Sequence, residues 1–551
     1  MASEKYIVDD HNVIIIGAGW QGIAAARTYL QLKPNIKLTV IDSDSSIGGV
    51  WSIERSYPGL IADSPVGCYE FSDMCMDEDP ELEMWKIIPG HKVGDYLRNF
   101  SKRFGIDEHL CLNTKVFSAV PENGTDDVKR WSLEVQTKGK EKEFLKCDKL
   151  IVASGPSSDP RMPDLDTIVG GNKSAAEVVN LCATAGKKVT WLIREGGAGP
   201  GMLIQARSGG VHTAAIAFSR WAGLTVPCLL RTHGFWYWLL HSGLFWPGIW
   251  LVGKYWEWAS HYMLKGLYEQ SENAKKIAPD LQHLFWSTSA PSFLQEGSTL
   301  FEKLNEGILI YVERTHISKV NPNSVTLDNG THLATDAIIF ATGWNLTFSK
   351  FFTPEVRLEL DLPIPFGTEP PALKEYWKEL DLDADQWVHK TFPFLSNPPK
   401  TYETPPDLTP YHLYRQSVPT TLATRNDRSI IFLGVLASPQ IPTYAELSSL
   451  WSIAYLENMH APEIDKVFRD KLTMDLDTAR ANAFMKWRYR RAGIIEPNVG
   501  AEVQDLCDLL CEELGVEARR KARIGGWKGS WNEWFEPYRS MDYKGFVGEF
   551  L

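Results

Sequence analysis

The chain has 551 residues, of which 44% are hydrophobic and 23% charged, so it is too long for one ordinary core and too apolar for a disordered protein. Its net charge of −12 argues against sequence-independent nucleic-acid binding, which needs a basic surface. The eight cysteines form no CxxC pair and have no histidine cluster beside them, which predicts reduced thiols and no metal site. The polar first residues lack a secretory signal, so we expect a cytoplasmic protein.

The first predicted elements follow a strand–turn–helix–strand order. Residues 13–16 form a short apolar strand, 23–32 form a helix that ends before Pro34, and 37–41 form a second strand. Two strands joined through a helix run parallel with a right-handed crossover. The opening of the chain therefore predicts a parallel α/β sheet.

A glycine motif, Gly17-x-Gly19-x-x-Gly22, connects the first strand to the helix. Gly17 permits a tight turn, Gly19 lets backbone amides approach a pyrophosphate, and Gly22 lets the helix pack closely on the strand. Asp42 ends the second strand, where an acid can bind the ribose hydroxyls of an adenosine. The motif and the acid together predict a dinucleotide site at the positive end of the helix.

The strand-then-glycine signature recurs twice, at 150–156 and at 336–344. Between these copies lies a second glycine-rich turn at 168–176, followed by a helical stretch and a strand at 189–193. A complete strand–turn–helix–strand unit enclosed by parts of another predicts two nested Rossmann-like dinucleotide-binding domains of the α/β class.

The predicted domain boundaries follow from this nesting. Residues 1–160 and 325–551 build the outer domain, and residues 161–324 build the inner one. The inner domain carries an aromatic-rich insert at 232–253 that has no charged side chain. Proline, glycine and histidine interrupt this insert, so we favour an aromatic cap that touches a membrane peripherally over a segment that spans it.

The second turn departs from the ideal glycine pattern. Gly170 keeps the first glycine, Asn172 replaces the middle one and tolerates left-handed dihedrals, and Ser174 precedes the small residue Ala175 at the third position. Arg194 follows the next strand, where an arginine suits the 2′-phosphate of NADPH; an exposed arginine without a ligand is the alternative.

The segment after Asp42 carries the most specific motifs. Gly49, Val50 and Trp51 belong to a Gly-Gly-Val-Trp run in which the glycines let the backbone pass close to a ligand and the indole offers a flat wall. A Tyr-Pro-Gly-x-x-x-Asp-x-Pro-x-x-x-Tyr run follows and contains Asp63 and Tyr69. With the Gly-Ala-Gly-Trp turn and the late Ala-Thr-Gly-Trp motif, the chain resembles class B flavin monooxygenases of the fungal specialised-metabolism type.

The resemblance implies FAD and NADPH as cofactors, with NADPH at the second turn and Arg194. It places Asp63 near the reactive face of the flavin as the catalytic residue, although an aspartate before Ser-Pro also favours a plain turn. It implies FAD contacts for Gly17, Gly19, Gly22, Asp42, Gly49, Val50, Trp51, Asp63, Tyr69, Thr342 and Gly343.

Two features of the family are missing. The family's Phe-x-Gly-x-x-x-His fingerprint does not occur between Lys146 and Gly170, and the arginine that Baeyer–Villiger members place beside the flavin has no counterpart in 284–291. The second absence argues against ketone oxygenation.

The resemblance therefore implies an FAD-dependent monooxygenase that consumes NADPH and O2 and oxygenates an apolar small molecule by hydroxylation, epoxidation or Baeyer–Villiger oxidation. The alternatives are an FAD-dependent oxidase or reductase without oxygen insertion, and a non-catalytic flavin-binding remnant.

Overall fold

A computed structural model describes residues 11–123, 129–161, 170–194, 200–287, 292–294, 296–400, 407–459, 461, 470–489 and 497–551. Its strands are β1 Asn12–Ile16, β2 Lys37–Ile41, β3 Ile61–Pro65, β4 Ile87–Pro89, β5 Leu110–Cys111, β6 Thr114–Asn123, β7 Lys129–Thr137, β8 Lys142–Cys147, β9 Lys149–Val152, β10 Val189–Ile193, β11 Leu203–Gln205, β12 Arg207–Ser208, β13 Val211–His212, β14 Ser292–Leu294, β15 Ile310–Arg314, β16 Ile317–Asn321, β17 Ser324–Leu327, β18 His332–Ala334, β19 Leu413–Tyr414, β20 Val418–Pro419 and β21 Ile430–Phe432. Its α-helices are α1 Trp20–Leu32, α2 Gly90–Arg103, α3 Lys173–Thr184, α4 Thr213–Ala217, α5 Arg220–Gly223, α6 Phe235–Leu240, α7 Trp246–Leu264, α8 Glu272–Lys276, α9 Leu284–Ser287, α10 Leu300–Glu306, α11 Pro354–Glu359, α12 Pro371–Thr391, α13 Thr420–Ala423, α14 Ile441–Leu456, α15 Lys471–Arg488, α16 Val503–Leu514, α17 Gly526–Phe535 and α18 Phe546–Phe550.

A parallel sheet of order β21-β9-β1-β2-β5 forms the outer unit. All four neighbouring pairs run parallel, and β1 lies in the centre between β2 and β9. Because β1 is covered on both faces, its apolar residues Val13 and Ile15 are buried in one cluster while Ile14 and Ile16 are buried in another. Strands from both ends of the chain thus share one sheet.

The inner unit is built on β10 and β15, which pair in parallel. Helix α3 connects the second glycine turn to β10, and its apolar face packs with these strands in a separate core. The predicted α/β class with two nested Rossmann-like units is confirmed. The predicted strand at 189–193 is also confirmed, whereas residues 168–169, which begin the second glycine-rich turn, lie outside the described residues.

The predicted strand at 336–344 is wrong. Its backbone is irregular, and its end pairs antiparallel with the segment that leaves the outer sheet through a bridge between Pro160 and Trp344. Arg161 donates its amide hydrogen to the Gly343 carbonyl at 2.9 Å, and Asn345 donates to the Asp159 carbonyl at 2.8 Å. The segment meets its backbone hydrogen-bonding needs in this crossing of two chain segments instead of in a sheet.

The boundary expected between 324 and 325 falls inside β17. Strands β16, β17 and β18 form one antiparallel sheet whose apolar side packs on Leu192 of β10. We therefore propose that the chain returns to the outer unit at the crossing near Gly343, beyond Ala334.

The aromatic-rich insert forms α6 and the start of α7. In the part of the chain that the structure describes, none of the helices combines the length and apolarity that crossing a bilayer requires. Peripheral contact of 232–253 with a membrane stays a prediction.

The sequence predicts that the basic run at 480–491 forms a solvated helix face. This prediction is wrong for one residue. Arg488 ends α15, is buried, and pairs with the buried carboxylate of Glu502 at 3.1 Å. The run's last two residues lie outside the described part of the chain.

Candidate active site

The first glycine turn lies where β1 ends and α1 begins. Gly17 has a φ of +108°, and a Cβ atom there would lie 2.3 Å from the Ala153 carbonyl oxygen. A Cβ on Gly22 would lie 1.8 Å from the Gly17 carbonyl oxygen. The fold itself therefore requires glycine at the first and third positions of the motif.

The middle glycine is not required by the protein's own packing. Gly19 has ordinary extended dihedrals, with φ −85° and ψ −166°, and an added Cβ would come no closer than 3.6 Å, to the Cα of Gly49. Helix α1 begins directly after Gly19 without a side-chain cap and without an acid in its first turn. A helix end without a side-chain cap fits the pyrophosphate of a dinucleotide.

Asp42 holds the turn in place from the end of β2. Its carboxylate accepts hydrogen bonds from the amides of Ala18 at 2.7 Å and Asp44 at 3.0 Å. Burial raises the pKa of Asp42, which the two amide donors partly oppose. The carboxylate thus lies at the turn, as ribose binding requires.

An aromatic wall continues from the turn. Gly49, Val50 and Trp51 form a 3-10 turn, and the indole nitrogen of Trp51 donates to the Tyr69 hydroxyl at 3.1 Å. The Tyr69 ring meets Trp20, the first residue of α1, edge-on at 4.8 Å. Burial raises the pKa of Tyr69 to about 12, so the phenol stays protonated and can donate a hydrogen bond.

Asp63 lies on β3 and forms an ion pair with the second glycine turn. Its Oδ1 lies 3.2 Å from the Lys173 ammonium, which is also 3.3 Å from Glu177 Oε1. The side chain of Asp63 is 38% exposed, whereas that of Lys173 is 19% exposed. A carboxylate of the outer unit and a cation of the inner unit therefore meet between the two turns.

The second turn repeats the close packing of the first. A Cβ on Gly170 would lie 1.8 Å from the Ala341 carbonyl oxygen, just as a Cβ on Gly17 would clash with the Ala153 carbonyl oxygen. Both alanines precede a hydroxyl residue and a glycine, Ala-Ser-Gly in one case and Ala-Thr-Gly in the other. Each dinucleotide turn thus rests on the same short motif.

The remaining residues of the second turn occupy distinct environments. Asn172 caps α3 by accepting a hydrogen bond from the Lys173 amide at 2.9 Å. Its φ is −100°, so it does not adopt the left-handed conformation that asparagine tolerates. Ala175 is buried, while Ser174 and Arg194 are exposed near the start of α3 and after β10. The side chains available to a ligand here are therefore polar or cationic.

Thr342 and Gly343, predicted to contact FAD, lie at the crossing between the units. The Thr342 hydroxyl donates to the Arg161 carbonyl at 2.7 Å, and the preceding Ala341 lies against Gly170. The structure thus places both residues next to the second turn, and their contact with FAD stays a prediction.

The late chain completes the site around the first turn. Gly434, which follows β21, has a φ of +83°, and its Cβ would lie 2.8 Å from the Gln21 side chain. Helix α14 then begins at Ile441, and the Ser64 hydroxyl beside Asp63 donates to the Pro439 carbonyl at 3.2 Å.

The comparisons with known proteins agree with this geometry. Residues 10–179 match the family described as flavin-binding monooxygenase-like. An FAD-dependent monooxygenase from Pyrenophora dematioidea is 32% identical over 554 residues, covering 93% of this chain and 99% of that protein. This chain belongs to the FAD-dependent monooxygenase family.

A second relative and a solved structure extend the comparison. An FAD-dependent monooxygenase from Aspergillus nomiae is 31% identical over 586 residues, covering 98% of each protein. A crystal structure of cyclohexanone monooxygenase from Rhodococcus sp. Phi1 bound to NADP+ has a TM-score of 0.53 at 15% identity, over 92% of this chain and 97% of that one, which shows the shared fold. This monooxygenase is therefore a flavoprotein oxidoreductase, as its sequence predicts.

The alignment with the Aspergillus relative has more positions than this monooxygenase has residues, 586 against 551. The relative thus carries residues that have no counterpart here.

Proposed function

We propose that this monooxygenase uses NADPH as its reductant and inserts one atom of O2 into an apolar small molecule of specialised metabolism. The observation that carries the proposal is the ion pair between Asp63 and Lys173, because it connects the FAD-type turn to the NADPH-type turn. When bound, FAD supplies the redox chemistry, accepting hydride and passing electrons to O2. The protein has to bind, orient and enclose the reactants.

Four features of the first turn suit FAD. The absence of a side chain at Gly19 lets backbone amides approach a pyrophosphate, and α1 directs its positive end there. Asp42 would hold the adenosine ribose, and the wall of Trp51 and Tyr69 would lie along the flavin.

NADPH fits the second turn through complementary charge. Gly170, Asn172, Ser174 and Ala175 would surround its pyrophosphate at the start of α3. Arg194 is exposed after β10, where its guanidinium would meet the 2′-phosphate. A positive group there favours NADPH over NADH.

Lys173 supplies a cation near Asp63, in a chain that lacks the arginine expected at 284–291. An ammonium 3.2 Å from the carboxylate fixes its position. The pair also joins the outer and inner units, and an oxygenating centre has to exclude water so that peroxide is not released wastefully.

The test compares the holoenzyme with Lys173→Met, Lys173→Arg and Asp63→Asn, with Lys187→Met, which is exposed between α3 and β10, as the matched control. NADPH consumption, hydrogen peroxide and oxygenated product are measured together. We expect Lys173→Met and Asp63→Asn to keep their FAD but to release more peroxide per NADPH, whereas Lys173→Arg and Lys187→Met stay close to the parent enzyme.

Three outcomes would contradict the proposal in different ways. Equal coupling in all variants would remove Asp63 and Lys173 from the mechanism. Peroxide in a one-to-one ratio with NADPH and no product in the parent would indicate an oxidase. Bound FAD that NADPH never bleaches would indicate a non-catalytic flavin-binding remnant.

A further inference from the structure

Exposed aromatic rings cover one face formed by α5, α6, the start of α7 and α17. Trp246 is 71% exposed and Trp527 is 81% exposed, and Trp238 and Trp531 are also exposed. Aromatic side chains are large and apolar, so most of them are buried in the protein core unless a binding partner covers them. We call this face the aromatic surface.

The aromatic surface is continuous although its helices are far apart in the sequence. Trp221 of α5 meets Phe535 of α17 at 5.6 Å between ring centroids, and Phe535 meets Trp531 at 4.2 Å. Trp236 of α6 meets Trp534 of α17 at 6.4 Å. The insert at 232–253 and helix α17 thus present their rings side by side, and such patches mark interaction sites.

The charge within the aromatic surface differs from that of the whole protein. The insert at 232–253 has no charged residue, and the exposed charged side chain of α17 is Lys528. The acid of this helix, Glu533, is buried and pairs with Arg220. Outside the helix, charges of both signs are exposed, on Arg519, Arg523, Glu517 and Glu536. A tryptophan-rich face whose own exposed charge is a lysine, on a chain of net charge −12, complements an anionic surface with an apolar interior.

We propose that the aromatic surface docks this monooxygenase onto a lipid bilayer that contains anionic headgroups. Indole rings favour the boundary between headgroups and acyl chains, and basic side chains are attracted to an anionic leaflet. Helix α17 would lie in the plane of the membrane beside α6, with Lys528 directed to the headgroups. The proposal does not depend on the identity of the reductant or substrate.

The test is co-sedimentation of the full-length holoenzyme with vesicles of phosphatidylcholine alone or of phosphatidylcholine with phosphatidylserine. We expect stronger binding to the second kind, which weakens as salt is raised. The double variant Trp527→Ala/Trp531→Ala should lose binding to both kinds. Lys528→Glu should weaken binding to the phosphatidylserine vesicles by about fivefold or more, and leave binding to phosphatidylcholine unchanged.

Phe144→Ala provides the matched control, because Phe144 is 67% exposed on β8, outside the aromatic surface. It should bind vesicles like the parent, and FAD content confirms that each variant folds. Absence of binding to either vesicle would overturn the proposal. A second result would also overturn it: analytical ultracentrifugation finds a dimer that does not bind vesicles, and Trp527→Ala/Trp531→Ala dissociates that dimer. The aromatic surface would then join two copies of the chain.

Discussion

Replacing Gly19 and Gly22 by alanine, one at a time, separates what the fold needs from what FAD needs. A Cβ on Gly22 would lie 1.8 Å from the Gly17 carbonyl oxygen, so the helix or the turn must move. Overpacking of this kind costs about 1–3 kcal/mol. We therefore expect Gly22→Ala to lower the thermal midpoint of the FAD-free protein and to reduce FAD content.

Gly19→Ala should behave differently, because its Cβ would be 3.6 Å from the nearest protein atom and its dihedrals suit any residue. Loss of glycine at the N-cap of α1 destabilises the folded protein, whereas alanine restricts the unfolded chain and so stabilises the fold. Because these effects oppose each other, the unfolding free energy of the FAD-free protein should change by less than about 1 kcal/mol. If the pyrophosphate lies against Gly19, steric overlap with the alanine methyl group should cost about 1–3 kcal/mol of FAD binding free energy. That energy corresponds to about a 5- to 150-fold weaker FAD affinity.

The assay pairs thermal unfolding of the FAD-free protein with FAD titration followed by flavin fluorescence. The expected pattern is a stable Gly19→Ala protein with weak FAD binding and an unstable Gly22→Ala protein. Parental FAD affinity in Gly19→Ala would refute the placement of the pyrophosphate at the first turn.

Three further changes test other parts of the account. Burial raises the pKa of Glu446 to about 8 from 4.5, so the folded protein binds the extra proton and its free energy of unfolding falls as pH rises between these values. Glu446→Gln should flatten that part of the pH profile in urea unfolding, and an unchanged slope would contradict it. Gly170→Ala should clash with the Ala341 carbonyl and slow NADPH-driven flavin reduction while FAD content stays intact, so an unaffected reduction rate in stopped flow would count against the second turn. Arg488→Met removes the cation that pairs with the buried Glu502 and should cost about 3–5 kcal/mol of unfolding free energy, and a loss below about 1 kcal/mol would show that the pair is solvated.

Local patterns predicted the first dinucleotide unit well. The strand at 37–41 has the predicted bounds, and β1 begins one residue before the predicted strand. Helix α1 begins at Trp20, three residues before its predicted start, because the last glycine of the motif belongs to its first turn. The bounds of these elements depend on steric requirements of residues that are close in the sequence, so the sequence alone predicts them.

Features that depend on distant partners were not predictable. The apolar run at 336–344 resembles a strand, but its hydrogen-bond partners come from residues near Arg161. Arg488 carries the same charge as its neighbours on α15, and its burial depends on partners outside that helix, the Glu502 carboxylate and the Phe285 carbonyl. Likewise, nothing in the sequence pairs Lys173 with Asp63, because these residues belong to different units. Ligand contacts of the named site residues stay predictions.

The most direct test of the central claim is the fate of oxygen in a single reaction. The purified holoenzyme is incubated with NADPH, isotopically heavy O2 and apolar candidate substrates, and the products are weighed by mass spectrometry while the flavin absorbance is followed. The account predicts that NADPH bleaches the flavin and that one heavy oxygen atom appears in the product. Flavin that stays oxidised, or peroxide formed in proportion to NADPH without an oxygenated product, would contradict it.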